Sequence, residues 1–150
     1  NTLTPEILQG FENAVDVCFK QRDLKGILIY GAGSHFCAGG DTNSLKDTTF
    51  VKTMAENYNF GLLLWQLRSL CVPIISIVHG KIQGGGVALM LQADYIISVK
   101  SETTIQYGNL NRGVCPLAGF ATNVVQRMGT TAATQFYLGN ESSWNKARST

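Results

Sequence analysis

Two glycine-rich segments each follow an apolar run that has the length and composition of a buried strand. Glycines 39 and 40 come shortly after the run Ile27–Tyr30, and glycines 84–86 come after the run Ile74–Val78. Glycine carries no side chain, so the backbone N–H groups there stay uncovered, and a helix that begins at Gly86 adds the positive end of its dipole. Two such segments side by side can direct two N–H groups at one oxygen atom. That arrangement is an oxyanion hole, which stabilises negative charge developing on a carbonyl oxygen.

A second interpretation of the same glycines stays open, because tight turns in a close-packed α/β domain also need residues without side chains. The better-known glycine motifs are absent. Gly31 and Gly33 follow a strand, yet Phe36 takes the place of the third glycine of a dinucleotide-binding loop. The sequence contains no phosphate-binding G-x-x-x-x-G-K-[ST] loop, no H-E-x-x-H zinc motif and no G-x-S-x-G nucleophile turn.

The cysteines argue against a metal site and against a disulfide scaffold. The four residues lie far apart and form no C-x-x-C pair; they are Cys18, Cys37, Cys71 and Cys115. This spacing indicates neither a zinc site nor a disulfide framework. We therefore expect no metal and four buried thiols, in a protein of the cytoplasm or another reducing compartment.

The elements that must position the glycines follow from apolar periodicity and from glycine and proline boundaries. The two short apolar runs predict strands buried on both faces. The predicted helices cover about residues 5–25, 50–70, 87–92, 119–128 and 131–138, and the predicted strands cover 26–31, 74–78, 95–99 and 103–107. Residues 79–86 are predicted as a loop, and residues 100–102 as a turn between the last two strands. This order predicts an α/β fold in one domain over residues 1–150.

The composition fits one globular domain, since 45% of the 150 residues are hydrophobic and 15% are charged. The formal charge of +2 includes no basic run, so we expect no nucleic-acid partner. No apolar stretch approaches the roughly 20 residues of a membrane helix, so we expect no membrane partner. The first helix has no strand before it and residues 144–150 resemble a helix start, which favours a piece of a longer protein.

Two segments together resemble the crotonase superfamily, the relatives of enoyl-CoA hydratase and isomerase. They are HFCAGGD at residues 35–41 and PIISIVHGKIQGGGVALMLQAD at residues 73–94. The resemblance implies a crotonase-type spiral of β-β-α units, truncated here at both ends and lacking most of a C-terminal helical segment. It also implies a homotrimer or hexamer. The implied substrate is an acyl-CoA or an acyl carrier protein, with CoA or phosphopantetheine as part of the substrate and no separate cofactor.

The same resemblance implies the site residues. In the family a thioester carbonyl lies between two backbone N–H groups, and those positions match Ala38 and Gly85. The residues expected to bind substrate around them are Gly39, Gly40, Asp41, Gly84, Gly86 and Tyr107. Asp41 resembles a family aspartate that caps the following helix.

The departures from the family pattern narrow the chemistry. The two glutamates of the family's hydratases correspond to Ala88 and Asn109 in this chain. Neither a methyl group nor an amide transfers a proton near neutral pH, so the two-carboxylate addition of water is not expected and an ordinary double-bond shift is disfavoured. Decarboxylation needs no strong base, because loss of carbon dioxide itself generates the enolate. Some polyketide-pathway members of the superfamily are decarboxylases of this kind, with a lysine that corresponds to Lys46.

Several assignments keep a structural alternative. Lys46 binds a carboxylate or protonates the enolate, or it is a solvated surface lysine. Asn109 binds substrate or satisfies a turn. Tyr107 and Arg112 flank the same loop and can equally be packing or surface residues. We expect His79 to fix a loop, and Cys115 has no base partner that would make it a nucleophile.

The sequence therefore predicts an acyl-thioester enzyme that stabilises an enolate, with decarboxylation or another non-hydratase lyase reaction as the first choice. Two alternatives stay open. One is a hydratase or isomerase with a non-standard base, and the other is a degenerate member kept as an acyl-binding or assembly module.

Overall fold

The computed structural model describes residues 1–41, 50–98, 103–107, 110, 115–116 and 118–138. It contains four helices and five strands in this part of the chain. The helices are α1 (Pro5–Lys20), α2 (Phe50–Ser69), α3 (Gly85–Met90) and α4 (Phe120–Leu138). The strands are β1 (Ile27–Tyr30), β2 (Ile74–Val78), β3 (Lys81–Gln83), β4 (Tyr95–Ser98) and β5 (Thr104–Gln106).

The first helix begins where the sequence predicts. Pro5 occupies the first turn, where its missing N–H costs no hydrogen bond, and Thr4 caps the helix. The Ile7 N–H donates to Thr4 Oγ1 at 3.3 Å. The last helix is also as predicted, because Gly129 interrupts α4 with φ 75° and ψ 166° and so divides it into the two expected segments.

Two parallel sheets form a spiral. Strands β1, β2 and β4 make one sheet, and β3 and β5 make the other. Each β-β-α turn of the chain therefore adds one strand to each sheet, first β2 and β3 before α3, then β4 and β5 before α4. The turn before them follows the same path, because Cys37 forms a parallel bridge with Ile82 of β3. This is the spiral that the resemblance implies.

Strand β3 corrects the prediction of an uninterrupted loop over residues 79–86. Its three residues include one buried apolar side chain, Ile82, which is too little for a periodic signal. The strand is specified by its partners instead: Gln83 pairs with Gln106 in β5, and the Gln83 N–H donates to the Cys37 carbonyl at 3.0 Å. The two last predicted strands, β4 and β5, also separate into different sheets.

The first sheet is buried on one face only, which corrects the expectation of strands covered on both faces. Leu28 and Tyr30 of β1 are 61% and 71% exposed, while Ile27 and Ile29 pack against the core from the other face. In β2 the alternate residues Ile74, Ser76 and Val78 are buried. The core lies between this face and the helices.

The described helices include none that is long and apolar enough to cross a membrane. All four cysteines are free, but only Cys37 is buried. Cys71 and Cys115 are exposed and Cys18 is half-buried, so the expectation of four buried thiols is wrong for these three.

Candidate functional site

The two glycine-rich segments pack directly against each other. A Cβ atom on Gly39 would lie 2.7 Å from the Gln83 carbonyl oxygen, and one on Gly86 would lie 2.5 Å from the Cys37 carbonyl oxygen. Both distances are shorter than a carbon–oxygen contact allows, so this approach requires glycine. Gly39 also has φ +91°, a backbone conformation that residues with side chains rarely adopt.

Gly85 places one of the two predicted donors. As the first residue of α3, its N–H has no partner inside the helix. No acceptor for this N–H lies among the described residues. An ideal Cβ on Gly39 would be 3.7 Å from the Gly85 nitrogen, so the amide borders the first glycine segment. On the side where a Gly85 Cβ would project lie Leu3 Cδ1, at 2.6 Å, and Phe60 Cε1, at 3.5 Å. The donor therefore has an apolar wall beside it.

The second predicted donor, Ala38, is already engaged. Its N–H donates to the Asn1 carbonyl oxygen at 2.8 Å. The Asn1 side chain holds the same segment, since its Nδ2 donates to the carbonyl oxygens of Ala32 at 2.7 Å and His35 at 2.8 Å. An oxygen that binds Ala38 must replace the Asn1 carbonyl.

Two histidines link the turns that lead into the glycine segments. His79 Nε2 lies 2.9 Å from the Gly33 carbonyl oxygen, and the Phe36 N–H donates to the His79 carbonyl at 2.9 Å. These contacts confirm that His79 fixes a loop. His35 adds a third link, because its Nδ1 accepts a hydrogen bond from the Lys81 N–H at 3.1 Å.

Cys37 lies within the site but is not prepared for nucleophilic chemistry. Burial raises the pKa of its thiol, and the Gly39 N–H offsets only part of that effect. A thiol attacks as its thiolate, so a raised pKa leaves it unreactive at neutral pH. Its role in the structure is to pack beneath Gly86.

Helix α3 is buried from Gly86 to Met90, and two arginines hydrogen-bond to the residues that follow its C-terminal end. Arg68 donates to the Gln92 carbonyl at 3.0 Å and to Asp94 Oδ1 at 2.7 Å, and Arg127 donates to the Ala93 carbonyl. Asp94 Oδ2 accepts from the Ile74 N–H at 2.8 Å. The Arg68 hydrogen bond, followed by that from Ile74, lowers the pKa of Asp94.

Tyr107 is 3% exposed and packs in the core. Its ring stacks on Phe120 at a centroid distance of 4.1 Å, and its hydroxyl donates to the Cys115 carbonyl at 3.0 Å. This burial favours the packing role over the predicted contact with substrate.

The other predicted residues divide between the described and undescribed parts of the chain. Ala88 is buried in α3, where its methyl group packs in the core. Asp41 is half-buried, and its expected role as a helix cap falls on residues 42–49, which lie outside the described part of the chain. Lys46, Asn109 and Arg112 also lie outside them. The described residues contain no group of three or more metal-ligating side chains.

Sequence reasoning missed three contributors, Asn1, His35 and Phe60. The first two act through hydrogen bonds to backbone atoms distant in sequence, for which no pattern exists. Phe60 is one of many apolar residues of α2, and nothing in its spacing separates it from core residues.

Comparison with known proteins agrees with this architecture. Residues 1–148 match the family described as enoyl-CoA hydratase/isomerase. Ethylmalonyl-CoA decarboxylase of Gallus gallus is 28% identical over 90% of this chain and 45% of its own length. A protein named probable enoyl-CoA hydratase from Bacillus subtilis is 28% identical over 94% of this chain and 55% of its own length. The chain thus spans about half the length of these relatives.

Solved structures show the same fold. The enoyl-CoA hydratase of Bacillus anthracis superposes on this chain with a TM-score of 0.90 at 19% identity. The superposition includes 98% of this chain and 58% of that protein. An enoyl-CoA hydratase from Polaromonas sp. JS666 has a TM-score of 0.85 at 22% identity, with 96% of this chain and 58% of that protein covered. The chain belongs to the enoyl-CoA hydratase/isomerase family and has the crotonase fold.

Proposed function

We propose that this chain binds the acyl group of a CoA or carrier-protein thioester and stabilises its enolate with backbone N–H groups. The observation that carries the proposal is the contact between the two glycine segments, where Gly39 lies against Gln83 and the Gly85 amide borders the first segment. The thioester oxygen would accept from Gly85 and, after displacing the Asn1 carbonyl, from Ala38. In comparable sites the loss of one such donor raises the barrier by about 2.7–4 kcal/mol.

The reaction that suits this site is decarboxylation of a carboxylated or glutaconyl-type thioester. The bond between the α-carbon (or its vinylogue) and the carboxyl carbon breaks, carbon dioxide leaves, and the electron pair moves into the enolate. A proton then adds to carbon. No base is needed, which fits the methyl group of Ala88 where the family's hydratases carry a glutamate.

The wall beside Gly85 supports this choice. Leu3 and Phe60 are apolar and half-buried, and a carboxylate held near them would lose hydration. Loss of carbon dioxide removes the poorly hydrated carboxylate charge from this apolar wall, which favours the reaction. Within the same proposal, Lys46 orients the carboxylate or protonates the enolate, Asn109 binds substrate, and Gly40, Asp41, Gly84 and Gly86 shape the cleft.

The names of the relatives support both a decarboxylase and a hydratase. Ethylmalonyl-CoA decarboxylase and probable enoyl-CoA hydratase match this chain at the same 28% identity. The second candidate enzyme is therefore a hydratase or isomerase that uses a water held by Asn109. A third candidate, an acyl-binding module without turnover, is favoured by the engagement of Ala38 with Asn1.

Incubation with two thioesters separates these functions. We expect release of carbon dioxide from a glutaconyl-type thioester and no hydration of a crotonyl thioester. Hydration of the crotonyl thioester would contradict the decarboxylase, and binding of both without turnover would favour the acyl-binding module. Parallel reactions with CoA and carrier-protein thioesters identify the carrier.

We also propose a homotrimer or hexamer in a reducing compartment, with no cofactor apart from the CoA or phosphopantetheine of the substrate. The free, exposed Cys71 and Cys115 suit such a compartment. Sedimentation under reducing conditions tests the assembly, and a monomer would contradict it.

A further inference from the structure

Two short segments, residues 33–36 and 79–81, are joined by a set of contacts that we name the clasp. Its three hydrogen bonds are His79 Nε2 with the Gly33 carbonyl, the Phe36 N–H with the His79 carbonyl, and the Lys81 N–H with His35 Nδ1. The segments approach so closely that a Cβ on Gly80 would lie 2.1 Å from the Ser34 carbonyl oxygen. The clasp is therefore a close contact between two turns of the spiral.

The clasp leads directly into both proposed donors. The first segment continues into Ala38, and the second continues through β3 into Gly85. One residue separates the first segment from Ala38, and three residues separate the second segment from Gly85. The clasp is thus placed to set the width of the proposed oxyanion hole.

The two histidines differ in what their hydrogen bonds require. His35 Nδ1 accepts from a backbone N–H, and an imidazole nitrogen accepts only when it carries no proton. His79 Nε2 faces a carbonyl oxygen and donates, which it does in one neutral tautomer and also in the cation. Both neutral rings are therefore assigned the Nε2–H tautomer from their hydrogen-bond partners. Protonation breaks the His35 bond and preserves the His79 bond.

The groups around His35 do not compensate for its protonation. Among the described residues, the titratable side chains in the clasp and directly next to it in sequence are His79 and Lys81 on the opposite segment and Cys37 on its own segment, and the Asn1 side chain donates to the His35 carbonyl. No carboxylate is among them. When His35 is protonated, its Nδ1–H would instead point at the Lys81 N–H, and two donors repel each other.

We propose that His35 is a positioning residue whose neutral imidazole holds the two donors at binding distance, so that acidification weakens the binding of an acyl thioester. This inference rests on the proposed function for its ligand and on the clasp for its geometry. It predicts that an acyl thioester binds more weakly at pH 5 than at pH 8.

The test compares wild type with three variants at pH 8 and pH 5. His35→Asn supplies an amide oxygen close to the position of Nδ1 and does not titrate. His35→Ala supplies no acceptor. His79→Gln is the matched control, because its amide nitrogen still donates to the Gly33 carbonyl. The readouts are the Kd of butyryl-CoA by calorimetry, hydrogen-exchange protection of the Lys81 amide, and the nitrogen NMR signals of the two histidines, which are the only ones in the sequence.

In wild type we expect a Kd about fivefold higher at pH 5 than at pH 8, the factor that corresponds to the net contribution of one hydrogen bond. The Lys81 amide should lose protection by a similar factor. His79→Gln should follow wild type, His35→Asn should show neither change, and His35→Ala should be weak at both pH values. Any dependence of CoA binding on pH that all four proteins share cancels when the ratio of Kd at pH 5 to Kd at pH 8 is compared between each variant and wild type.

Equal pH dependence of Lys81 protection in wild type and His35→Asn would overturn the proposal. A wild-type Kd that does not change with pH would also overturn it. Failure to bind butyryl-CoA at any pH, combined with His35-dependent protection of Lys81, would instead support the clasp and contradict the proposed acyl-thioester site.

Discussion

The two proposed donors lie in neighbouring loops but in different surroundings. The Ala38 N–H already donates to the Asn1 carbonyl, whereas the Gly85 N–H has no acceptor among the described residues and lies beside Leu3 and Phe60. A bound oxygen therefore exchanges one acceptor for another at Ala38 and adds a new hydrogen bond at Gly85. Exchange of one acceptor for another at Ala38 contributes little to the free energy of binding, whereas a new hydrogen bond to the Gly85 N–H contributes more. Gly85 should accordingly dominate stabilisation of an enolate.

Removal of the Gly85 N–H should have the largest effect on turnover and therefore tests the difference between the two donors most directly. Gly85→Pro deletes the donor, and proline is well tolerated at the first position of a helix. We expect kcat for the glutaconyl-type thioester to fall about 100- to 1000-fold, as when one oxyanion-hole donor is lost. The measurement is steady-state turnover by protein whose folding is verified by circular dichroism.

Two controls accompany that variant. Gly85→Ala keeps the N–H, and its Cβ meets the flexible end of Leu3, which can move. His79→Ala should retain measurable turnover because it removes one hydrogen bond of the clasp and leaves the other two bonds and both N–H donors in place. If Gly85→Ala loses as much activity as Gly85→Pro, or if His79→Ala loses more, the N–H group is not the cause.

Adjacent glycines of the first loop provide the next largest effect. Gly39→Ala places a Cβ 2.7 Å from the Gln83 carbonyl on a backbone with φ +91°, whereas a Cβ on Gly40 meets nothing within 4 Å. We expect Gly39→Ala to lower the free energy of unfolding by about 1–3 kcal/mol, the typical cost of such backbone strain. Gly40→Ala should stay within about 0.5 kcal/mol of wild type. Urea unfolding of both variants measures the difference, and equal losses would show that the contact with Gln83 does not govern the loop.

These glycines also show which parts of the fold can be predicted from the sequence. Glycine clusters after apolar runs predict both loops, because strand, turn and helix each leave a local pattern. Gly129 likewise predicts the break in α4. Strand β3 has no such pattern, since its three residues are specified by Cys37 and β5 rather than by their own periodicity.

The surroundings of the donors could not be predicted for the same reason. The Asn1 carbonyl reaches Ala38 across 37 positions, and any residue has a carbonyl to offer. Burial of strand faces is also non-local: Leu28 and Ile29 are both apolar, yet Leu28 is 61% exposed while Ile29 packs against the core. The sequence thus predicts where the backbone turns, but it does not predict which residues each turn contacts.

The opposite end of α3 gives a smaller, pH-dependent effect. Hydrogen bonds from Arg68 and Ile74 lower the pKa of Asp94 in the folded protein. A carboxyl group whose pKa is lower when folded stabilises the fold above its unfolded pKa, and this stabilisation is lost as the pH falls through the folded pKa. Because both side chains are exposed, Asp94→Asn should cost only about 0.2–1 kcal/mol at pH 7.

Unfolding measurements from pH 7 to pH 3 check this effect. The difference in free energy between wild type and Asp94→Asn should shrink as the pH falls, since protonation removes the same charge from wild type. A difference that stays constant across this range would show that the Asp94 charge contributes nothing. Turnover should change less than in Gly85→Pro, because the substitution leaves both donors in place.

Ser76 gives the smallest effect and the sharpest contrast with Gly85. Its hydroxyl is fully buried in β2 and has no hydrogen-bond partner among the described residues. Both groups lack a partner among the described residues, but Gly85 is partly exposed whereas Ser76 is fully buried. Ser76→Ala removes a desolvated polar atom, so we expect unchanged turnover and a free energy of unfolding equal to wild type or up to about 1 kcal/mol higher. A loss of turnover in folded Ser76→Ala would mean that an unpartnered donor need not face the cleft to affect activity, and the distinction between the two sites would fail.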